Sequence, residues 1–276
     1  MFLSIYGAVR KLMADGYDFD LIDAHYFYPD GVAAAMIGRL LKKPVVITAR
    51  GTDINLIPAY NLPRRQILWA ARQASGLITV CQALKDTLVE MGVAGQKIHA
   101  LRNGVDLVRF QPQDRARARV LFGATGKTLL SVGHLIERKG HDLVIRAMSE
   151  LPDYQLLIAG EGPERTRLEA LAHALGVNRR VLFLGSVRPE NMSALYNSGD
   201  ALILASSREG WANVLLEAMA CGTPVVASNV WGTPEVVQKP EAGRLLDQRT
   251  GAGIARKVRE LVDAGIDREA TRRYAE

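Results

Sequence analysis

The segment from Asp200 to Ser228 constrains the fold of this chain more than any other part. It begins with an apolar run, Asp200–Ala205, continues through a polar loop and a helical pattern, and ends in a second apolar run, Pro224–Ser228. Apolar runs of this length, bounded by turn residues, predict buried strands, so the predicted order is strand, loop, helix, strand. That order is half of a nucleotide-binding α/β fold.

Two carboxylates flank the predicted start of the helix in this segment. Glu209 lies in the loop, and Glu217 lies just over one turn inside a helix that begins near Ala212 or Asn213. Eight residues span at most about 12 Å along a helix axis, so the two acids can address different ends of one elongated ligand. The helix start between them favours an anion. The order acid, anion site, acid suits a nucleotide sugar, whose diphosphate lies between two hydroxyl-rich rings.

The spacing of Glu209 and Glu217 resembles the E-x7-E signature of GT-B glycosyltransferases. Arg208-Glu209-Gly210 and the segment from Leu216 to Pro224 are similar to family 4, the retaining group 1 enzymes. The resemblance extends over residues 18–250. It implies an α/β protein of GT-B architecture, with two Rossmann-like, doubly wound domains of which the first is incomplete.

Strand and helix patterns alternate along the chain, which predicts parallel sheets covered by helices on both faces. Asn103-Gly104-Val105-Asp106 resembles the exit from the family's first domain, and the Arg-rich stretch 113–119 suits a linker and a first helix. We therefore expect a partial acceptor-side domain over residues 1–112 and a donor-binding domain over residues 113–276. Family members open with a strand and a Gly-rich loop, and nothing before Asp18 resembles them.

The individual elements follow from the apolar patterns. The predicted strands are 18–25, 44–49, 76–80, 97–102, 128–132, 154–159, 180–184, 200–205, 224–228 and 243–247. The predicted helices are 3–14, 29–41, 63–74, 82–91, 141–151, 164–175, 189–197 and 254–264, with one that begins near residue 212 and a short one at 232–235.

The resemblance assigns donor-site roles to residues that follow strands of the second domain. It implies that Glu217 holds the ribose hydroxyls and that Glu209 holds the hydroxyls of the donor sugar. It also implies that Lys139 binds the diphosphate together with Arg138, since His134 stands where the family usually has Arg. The remaining donor-binding positions are Gly133 and His134, the loop residues Gly210, Trp211, Ala212 and Asn213, and the segment Gly185, Ser186 and Val187 beside the base.

Two predicted strands of the first domain end in candidates for the acceptor side. His25 follows the first strand, and Arg50 and Asp53 follow the second, so all three are expected at the ligand-binding edge of the sheet. Many family 4 enzymes have His where this chain has Arg50. Two roles are open for Arg50, phosphate binding or a structural salt bridge with Asp53. His25 either faces the cleft or is a structural residue.

Three motifs of other protein classes fail in this chain. Asp18-Phe19-Asp20 fits the metal-binding D-x-D pattern, but it precedes its strand, whereas ligand-binding residues of an α/β sheet follow theirs. Gly126-Lys127-Thr128 lacks the earlier glycine of a P-loop, and a strand follows it. Gly160-Glu161-Gly162 lacks the third glycine of a dinucleotide fingerprint. We expect no metal and no cofactor, because cations and a helix start already neutralise the phosphates of the donor.

The chain is basic, with a net charge of +6, and contains 6% aromatic residues. The sequence has no Lys/Arg tract and no nucleic-acid motif, so a nucleic-acid partner is not expected. A phosphorylated substrate or peripheral contact with an anionic membrane explains the charge equally well. Two distant cysteines, with no secretory signal pattern, predict a cytoplasmic location, with the inner face of the cytoplasmic membrane as the expected peripheral site.

The expected function is a retaining glycosyltransferase that moves a sugar from a UDP- or GDP-sugar to a lipid-linked or polysaccharide acceptor in cell-envelope glycan synthesis, such as lipopolysaccharide synthesis. Front-face retention requires no enzyme nucleophile, so catalysis would depend on positive charge that stabilises the leaving group. The alternative is a non-catalytic nucleotide-sugar-binding remnant or fragment that lacks the acceptor half. An epimerase or phosphorylase of the same fold would need an acid/base set or a pyridoxal-phosphate lysine, and neither is recognisable.

Overall fold

A computed structural model of the chain describes residues 2–276. The chain divides into two compact units. The first consists of the residues up to Asn103 together with Glu209–Trp211, and the second consists of Gly104–Arg208 and Ala212–Glu276. Both units are α/β, and each is built on a parallel sheet.

The first unit contains a four-stranded parallel sheet with the strand order β1-β2-β3-β4. Its strands are β1 (Ile22–His25), β2 (Val45–Ala49), β3 (Gly76–Thr79) and β4 (Ile98–Ala100). Its helices are α1 (Phe2–Ala14), α2 (Val32–Leu41), α3 (Thr52–Asn55), α4 (Asn61–Gln73) and α5 (Gln82–Glu90). A π-helical turn, Phe27–Gly31, leads into α2, and 3-10 turns lie at Ile57–Ala59 and Gly95–Lys97. The central strands are mostly apolar, as expected of strands buried by helices and neighbouring strands, and Ile47 and Leu77 have no exposed surface.

The second unit contains a six-stranded parallel sheet with the order β10-β9-β8-β5-β6-β7. Its strands are β5 (Lys127–Val132), β6 (Tyr154–Ala159), β7 (Val181–Gly185), β8 (Ala201–Leu204), β9 (Val225–Ser228) and β10 (Gly243–Leu246). Its helices are α6 (Arg115–Phe122), α7 (His141–Ala147), α8 (Arg165–Ala174), α9 (Met192–Ser198), α10 (Asn213–Ala220), α11 (Thr233–Val236), α12 (Gly251–Asp263) and α13 (Arg268–Ala275). Short 3-10 turns lie at Glu137–Lys139, Asn178–Arg180 and Pro189–Asn191.

The strand order of the second sheet reverses between β5 and β8. From β5 the chain builds outward through β6 and β7, then returns to place β8 on the other side of β5 and continues to β9 and β10. Right-handed crossovers therefore cover opposite faces of the two halves of the sheet. A crevice opens outside the carboxyl ends of two strands at such a reversal, and ligands of open α/β sheets bind there. The loops that follow β5 and β8 thus define the place where a ligand is expected.

The observed strands agree with the predicted ones, apart from differences at their ends. Helix α7 is shorter than predicted, since it ends at Ala147, where the bond from the Met148 N–H to the Ile145 carbonyl tightens the last turn. Helix α13 is absent from the sequence prediction, because its sequence, Arg268–Ala275, is strongly polar. It is anchored instead by Arg272, whose guanidinium donates to the Ala220 carbonyl at 2.7 Å.

Candidate functional site

The loop after β5 carries Lys139 back across the end of its own strand. Gly133, the first residue of that loop, has φ 148°, a conformation that residues with a side chain rarely adopt. Its N–H donates to the Ala159 carbonyl at 2.9 Å, which joins the loop to the end of β6. Lys139 methylene carbons lie 3.6 Å from the position that a Cβ on Gly133 would occupy. The Lys139 side chain therefore runs over the bare backbone of Gly133, at the expected ligand-binding edge.

The turn that bears both predicted cations is fixed to the chain that follows β8. The Ser207 N–H donates to the Arg138 carbonyl at 2.8 Å, and the Arg138 guanidinium donates to the Arg208 carbonyl at 2.9 Å. Gly140 ends the turn with φ 68°, and a Cβ there would lie 2.1 Å from the Ala205 carbonyl oxygen. Only glycine fits this approach, so the position of Arg138 and Lys139 depends on backbone contacts with the end of β8.

The glycines that failed as a dinucleotide fingerprint support the β5 loop instead. A Cβ on Gly160 would lie 1.9 Å from the Gly133 carbonyl oxygen, and a Cβ on Gly162 would lie 2.4 Å from the Leu135 carbonyl oxygen. The Leu135 N–H also donates to the Glu161 carbonyl at 2.8 Å. The loops after β5 and β6 thus pack backbone against backbone, which requires glycine at both positions.

A buried histidine lies under the same loop. His141 is 3% exposed, and its Nδ1 lies 2.8 Å from the Ser131 hydroxyl on β5. Burial lowers the pKa of His141 to about 4. The imidazole is therefore neutral at physiological pH and serves the packing of the loop rather than its charge.

Glu217 is held by a tyrosine that the sequence reasoning missed. The hydroxyl of Tyr196, on α9, donates to Glu217 Oε2, on α10, at 2.6 Å. Tyr196 has no exposed surface, and burial together with the Glu217 charge raises its pKa well above the usual range. The phenol therefore stays protonated and remains a donor, which fixes one carboxylate oxygen of the half-buried Glu217. No short-range sequence pattern links these residues, since they lie on different helices.

The remaining donor-site candidates of the second unit lie at strand and helix ends. Ala212 precedes α10 and provides no side-chain cap, and the helix begins at Asn213. His134 is exposed in the β5 loop. Gly185 has φ 68°, and its carbonyl accepts the Gly160 N–H at 2.8 Å, while Ser186 next to it is exposed and Val187 is half-buried. Predicted base-contacting and phosphate-contacting residues thus follow β7 and β5, which are separated by β6.

Glu209, Gly210 and Trp211 cluster with the first unit. A Cβ on Gly210 would lie 2.0 Å from the Arg50 carbonyl oxygen, so the two backbones are in close contact there. The Trp211 indole N–H donates to the Asn103 carbonyl at 3.0 Å. Glu209 is 8% exposed and its carbonyl accepts the Asn55 amide at 3.4 Å. The Glu209 carboxylate therefore lies in an environment from which water is largely excluded.

In the first unit, His25 and Arg50 lie together, with Asp23 as a third member. Arg50 Nη2 lies 2.9 Å from His25 Nδ1, and His25 Nε2 lies 3.1 Å from Asp23 Oδ2. A guanidinium can only donate, so Nδ1 accepts and the imidazole proton lies on Nε2, directed at Asp23. All three residues are exposed at the carboxyl ends of β1 and β2. Asp23 could have been found from the sequence, since residues i and i+2 of a strand share one face.

Asp53 has a different environment from its two neighbours. It has no exposed surface, and its carboxylate accepts the backbone N–H groups of Phe27 and Gly51 at 2.7 Å each and of Arg50 at 3.1 Å. Burial raises the pKa of Asp53, while these three bonds oppose that shift. Arg50 therefore meets Asp53 through its main chain, and its guanidinium is directed to His25.

Two family models together match nearly the whole chain. The model of glycosyl transferases group 1 matches residues 112–276, and the model of glycosyltransferase family 4 matches residues 1–109. The first match alone covers more than half of the chain. The chain belongs to the group 1 glycosyltransferase family.

Curated relatives of this chain are about 30% identical to it over the aligned residues. The N-acetyl-alpha-D-glucosaminyl L-malate synthase of Bacillus anthracis is 29% identical over 88% of this chain and 65% of its own length. The D-inositol 3-phosphate glycosyltransferase of Mycobacterium sp. strain KMS is 34% identical over 70% of this chain and 46% of its own length. The chain thus spans between about half and two thirds of the curated relatives that it matches.

Solved structures confirm that the chain has the GT-B fold. Anabaena HepE, crystallised in complex with UDP, superposes with a TM-score of 0.87 at 22% identity, over 97% of this chain and 76% of its own. The prediction of an α/β protein of the GT-B fold class, with parallel sheets, is therefore confirmed. Within residues 2–276 no helix is both long and apolar enough to cross a membrane. No cluster of three or more His, Cys, Asp or Glu side chains in that range could bind a metal ion.

Proposed function

We propose that the chain acts as a retaining glycosyltransferase that takes a sugar from a UDP- or GDP-sugar. The reversal of strand order between β5 and β8, with Lys139 lying over Gly133 at its carboxyl edge, is the observation that carries this proposal. This edge offers the charged side chain of Lys139 next to the main chain of Gly133, which has no side chain, so a diphosphate can approach closely. The HepE structure is a complex with UDP, which supports a nucleotide of this class.

The nucleotide is proposed to extend from the diphosphate at Lys139 to the ribose at Glu217. Tyr196 occupies Glu217 Oε2, so the second oxygen, Oε1, is the proposed acceptor for the ribose hydroxyls. A carboxylate that is fixed by a buried phenol loses little freedom when it binds a ligand. The base is proposed to lie beside Gly185–Val187, after β7.

The proposed chemistry requires no nucleophile from the enzyme. The C–O bond between the donor sugar and the diphosphate breaks while the acceptor hydroxyl attacks from the same face, and its proton passes to the departing diphosphate oxygen. Lys139 is proposed to stabilise the negative charge that develops on the leaving diphosphate. Arg138 is assigned no contact with it, because its guanidinium donates to the Arg208 carbonyl at 2.9 Å. Glu209 is proposed to hold hydroxyls of the donor sugar.

The acceptor is proposed to be lipid-linked or part of a cell-envelope glycan, reached at the inner face of the cytoplasmic membrane. Arg50 and His25 support an acceptor that carries a phosphate or carboxylate, because they place a cation at the carboxyl edge of the first sheet. The two relatives are named for L-malate and inositol 3-phosphate, which are both acidic molecules.

Calorimetric titration with UDP, GDP and ADP tests the donor site. We expect one nucleotide to bind, and Glu217→Ala to weaken binding by about tenfold or more, since hydrogen bonds to charged groups contribute about 1.5–3 kcal/mol. Lys139→Ala should weaken the same nucleotide comparably. The matched controls are Glu190→Ala and Lys239→Ala, which remove exposed charges of the same unit. Absence of binding to all three nucleotides, or unchanged affinity in Glu217→Ala, would contradict the proposal.

A further inference from the structure

A polar cavity lies in the second unit, next to the turn that carries Lys139. Its volume is about 330 Å³. Its lining consists of Glu137, Arg138, Asp142, Leu143, Ser207, Arg208 and Arg249. Three guanidinium groups and two carboxylates thus face one space, which leaves one positive charge in excess. Neither Arg208 nor Arg249 was singled out by the sequence patterns as a site residue.

Main-chain carbonyls orient two of the three arginines. Arg138 Nη1 donates to the Arg208 carbonyl at 2.9 Å, and Arg249 Nε donates to the Ala205 carbonyl at 2.7 Å. A guanidinium has five N–H donors in a rigid fork, so one bond to the main chain fixes the direction of the others. The third arginine, Arg208, has a buried Nε for which residues 2–276 provide no acceptor. A buried donor without an acceptor is unfavourable, and a bound anion would satisfy it.

We propose that this cavity binds a small phosphorylated molecule that also carries hydroxyl groups, such as a sugar phosphate. Each planar guanidinium group can donate two parallel hydrogen bonds to a pair of phosphate oxygens. A single carboxylate, or a neutral ligand, would accept fewer of the donors of three arginines. Glu137 and Asp142 are acceptors only, so they suit the hydroxyl groups of the same ligand. The volume lies at the lower end of the range for small-molecule sites, which fits one such ligand.

The cavity is connected to the donor loop through the 137–139 turn. Arg138 faces the cavity, while the next residue, Lys139, lies over Gly133. Ser207 lines the cavity, and its N–H holds the Arg138 carbonyl. A ligand that orders Arg138 and Ser207 therefore also orders the turn that presents Lys139. We expect the ligand to tighten UDP binding, and by linkage UDP to tighten the ligand. This coupling rests on the proposed donor site, whereas binding in the cavity does not.

The test is calorimetric titration of the full chain with glucose 6-phosphate, with and without saturating UDP. We expect glucose 6-phosphate to bind in both cases. Arg249→Gln and Arg208→Gln should each weaken binding by about tenfold, the loss of one charge-assisted pair. Arg146→Gln, which removes an exposed arginine of α7 that does not line the cavity, should change the affinity less than twofold. The midpoint of urea unfolding of Arg249→Gln, compared with that of the parent chain, shows whether the variant is folded.

Asp142→Asn keeps the arginines and provides a second, independent variant. It should bind inorganic phosphate as the parent chain does but lose the preference for glucose 6-phosphate over inorganic phosphate. Competition between UDP and glucose 6-phosphate would assign the cavity to the diphosphate of the donor and overturn the proposal. Absence of binding at millimolar concentrations, or equal affinity in the two arginine variants and in Arg146→Gln, would also overturn it. If UDP fails to bind but glucose 6-phosphate binds as expected, the donor proposal fails and the cavity site stands.

Discussion

The bond between Tyr196 and Glu217 allows a quantitative test of how the proposed ribose site is built. The change is a double-mutant cycle of Tyr196→Phe, Glu217→Ala and both together. The bond is 2.6 Å long, its donor is fully buried, and its acceptor carries a charge. Hydrogen bonds of this kind contribute about 1.5–3 kcal/mol to the free energy of unfolding. Each single variant should lose about 2 kcal/mol.

The two single variants lose this stability for different reasons. Tyr196→Phe removes the donor from a half-buried carboxylate that water can still reach. Glu217→Ala leaves the buried phenol hydroxyl without an acceptor, at a desolvation cost of about 1–3 kcal/mol. The double variant has neither partner unpaired, so it should lose about 2–3 kcal/mol rather than the sum of the two. The expected coupling energy is therefore about 1–2 kcal/mol.

Hydrogen exchange measured by mass spectrometry can determine this coupling energy for the second unit of the chain separately from the first. Peptides from α10 and β9 report the opening free energy of the second unit, and peptides from β2 and β3 serve as the internal reference. Protection of the reference peptides should not change among the four proteins. Losses in the second unit that add to within 0.5 kcal/mol would refute the bond as the support of Glu217.

Two further predictions concern the loop after β5. Gly160→Ala should destabilise the second unit by about 2–4 kcal/mol, because φ is 143° and the new Cβ would lie 1.9 Å from the Gly133 carbonyl oxygen. The control is Gly176→Ala, where φ is 69° but the surrounding space is open. Its free energy of unfolding, measured by the same urea titration, should fall by only about 1–2 kcal/mol. Equal losses would contradict the packing argument. The pKa of His141 is lowered from 6.5 to about 4, so the contribution of this residue is fully present above pH 6.5 and is lost as the pH falls towards 4, about 3 kcal/mol in all. Urea unfolding of His141→Asn at pH 7 and pH 4.5 should show a weaker pH dependence than the parent chain, and an identical dependence would show that the histidine is not responsible.

The sheets could be predicted from the sequence because parallel strands are buried on both faces and therefore read as uninterrupted apolar runs. The carboxyl ends of the first two strands could be predicted for the same reason, and His25, the last residue of β1, does lie 2.9 Å from Arg50, the first residue after β2. Tyr196 could not be paired with Glu217 in advance, because 21 residues and two chain reversals separate them. The roles proposed for Lys139, Glu209 and Glu217 stay predictions that rest on the resemblance and on these positions.

Gly160 and Gly162 show a different limit of sequence reasoning. Their spacing does not match the dinucleotide-binding motif, so the sequence predicts no ligand contact for them. Their actual contacts are with the carbonyl groups of Gly133 and Leu135 in a neighbouring loop. A glycine that is needed for the approach of another backbone cannot be distinguished by sequence from one that is needed for a ligand.

The assignment of Glu209–Trp211 to the first unit limits how enzymes of this kind can be recombined. The chain on both sides of this tripeptide belongs to the second unit, but Gly210 fits against the Arg50 carbonyl and Trp211 donates to the Asn103 carbonyl. Consider a hybrid with a single crossover near residue 103, which takes its first unit from one relative and the rest from another. Its residues 209–211 would then come from a different parent than Arg50 and Asn103, which they contact. Chimeras that exchange the second unit should therefore exchange residues 104–208 and 212–276 and keep 209–211 with the parent that supplies Arg50 and Asn103.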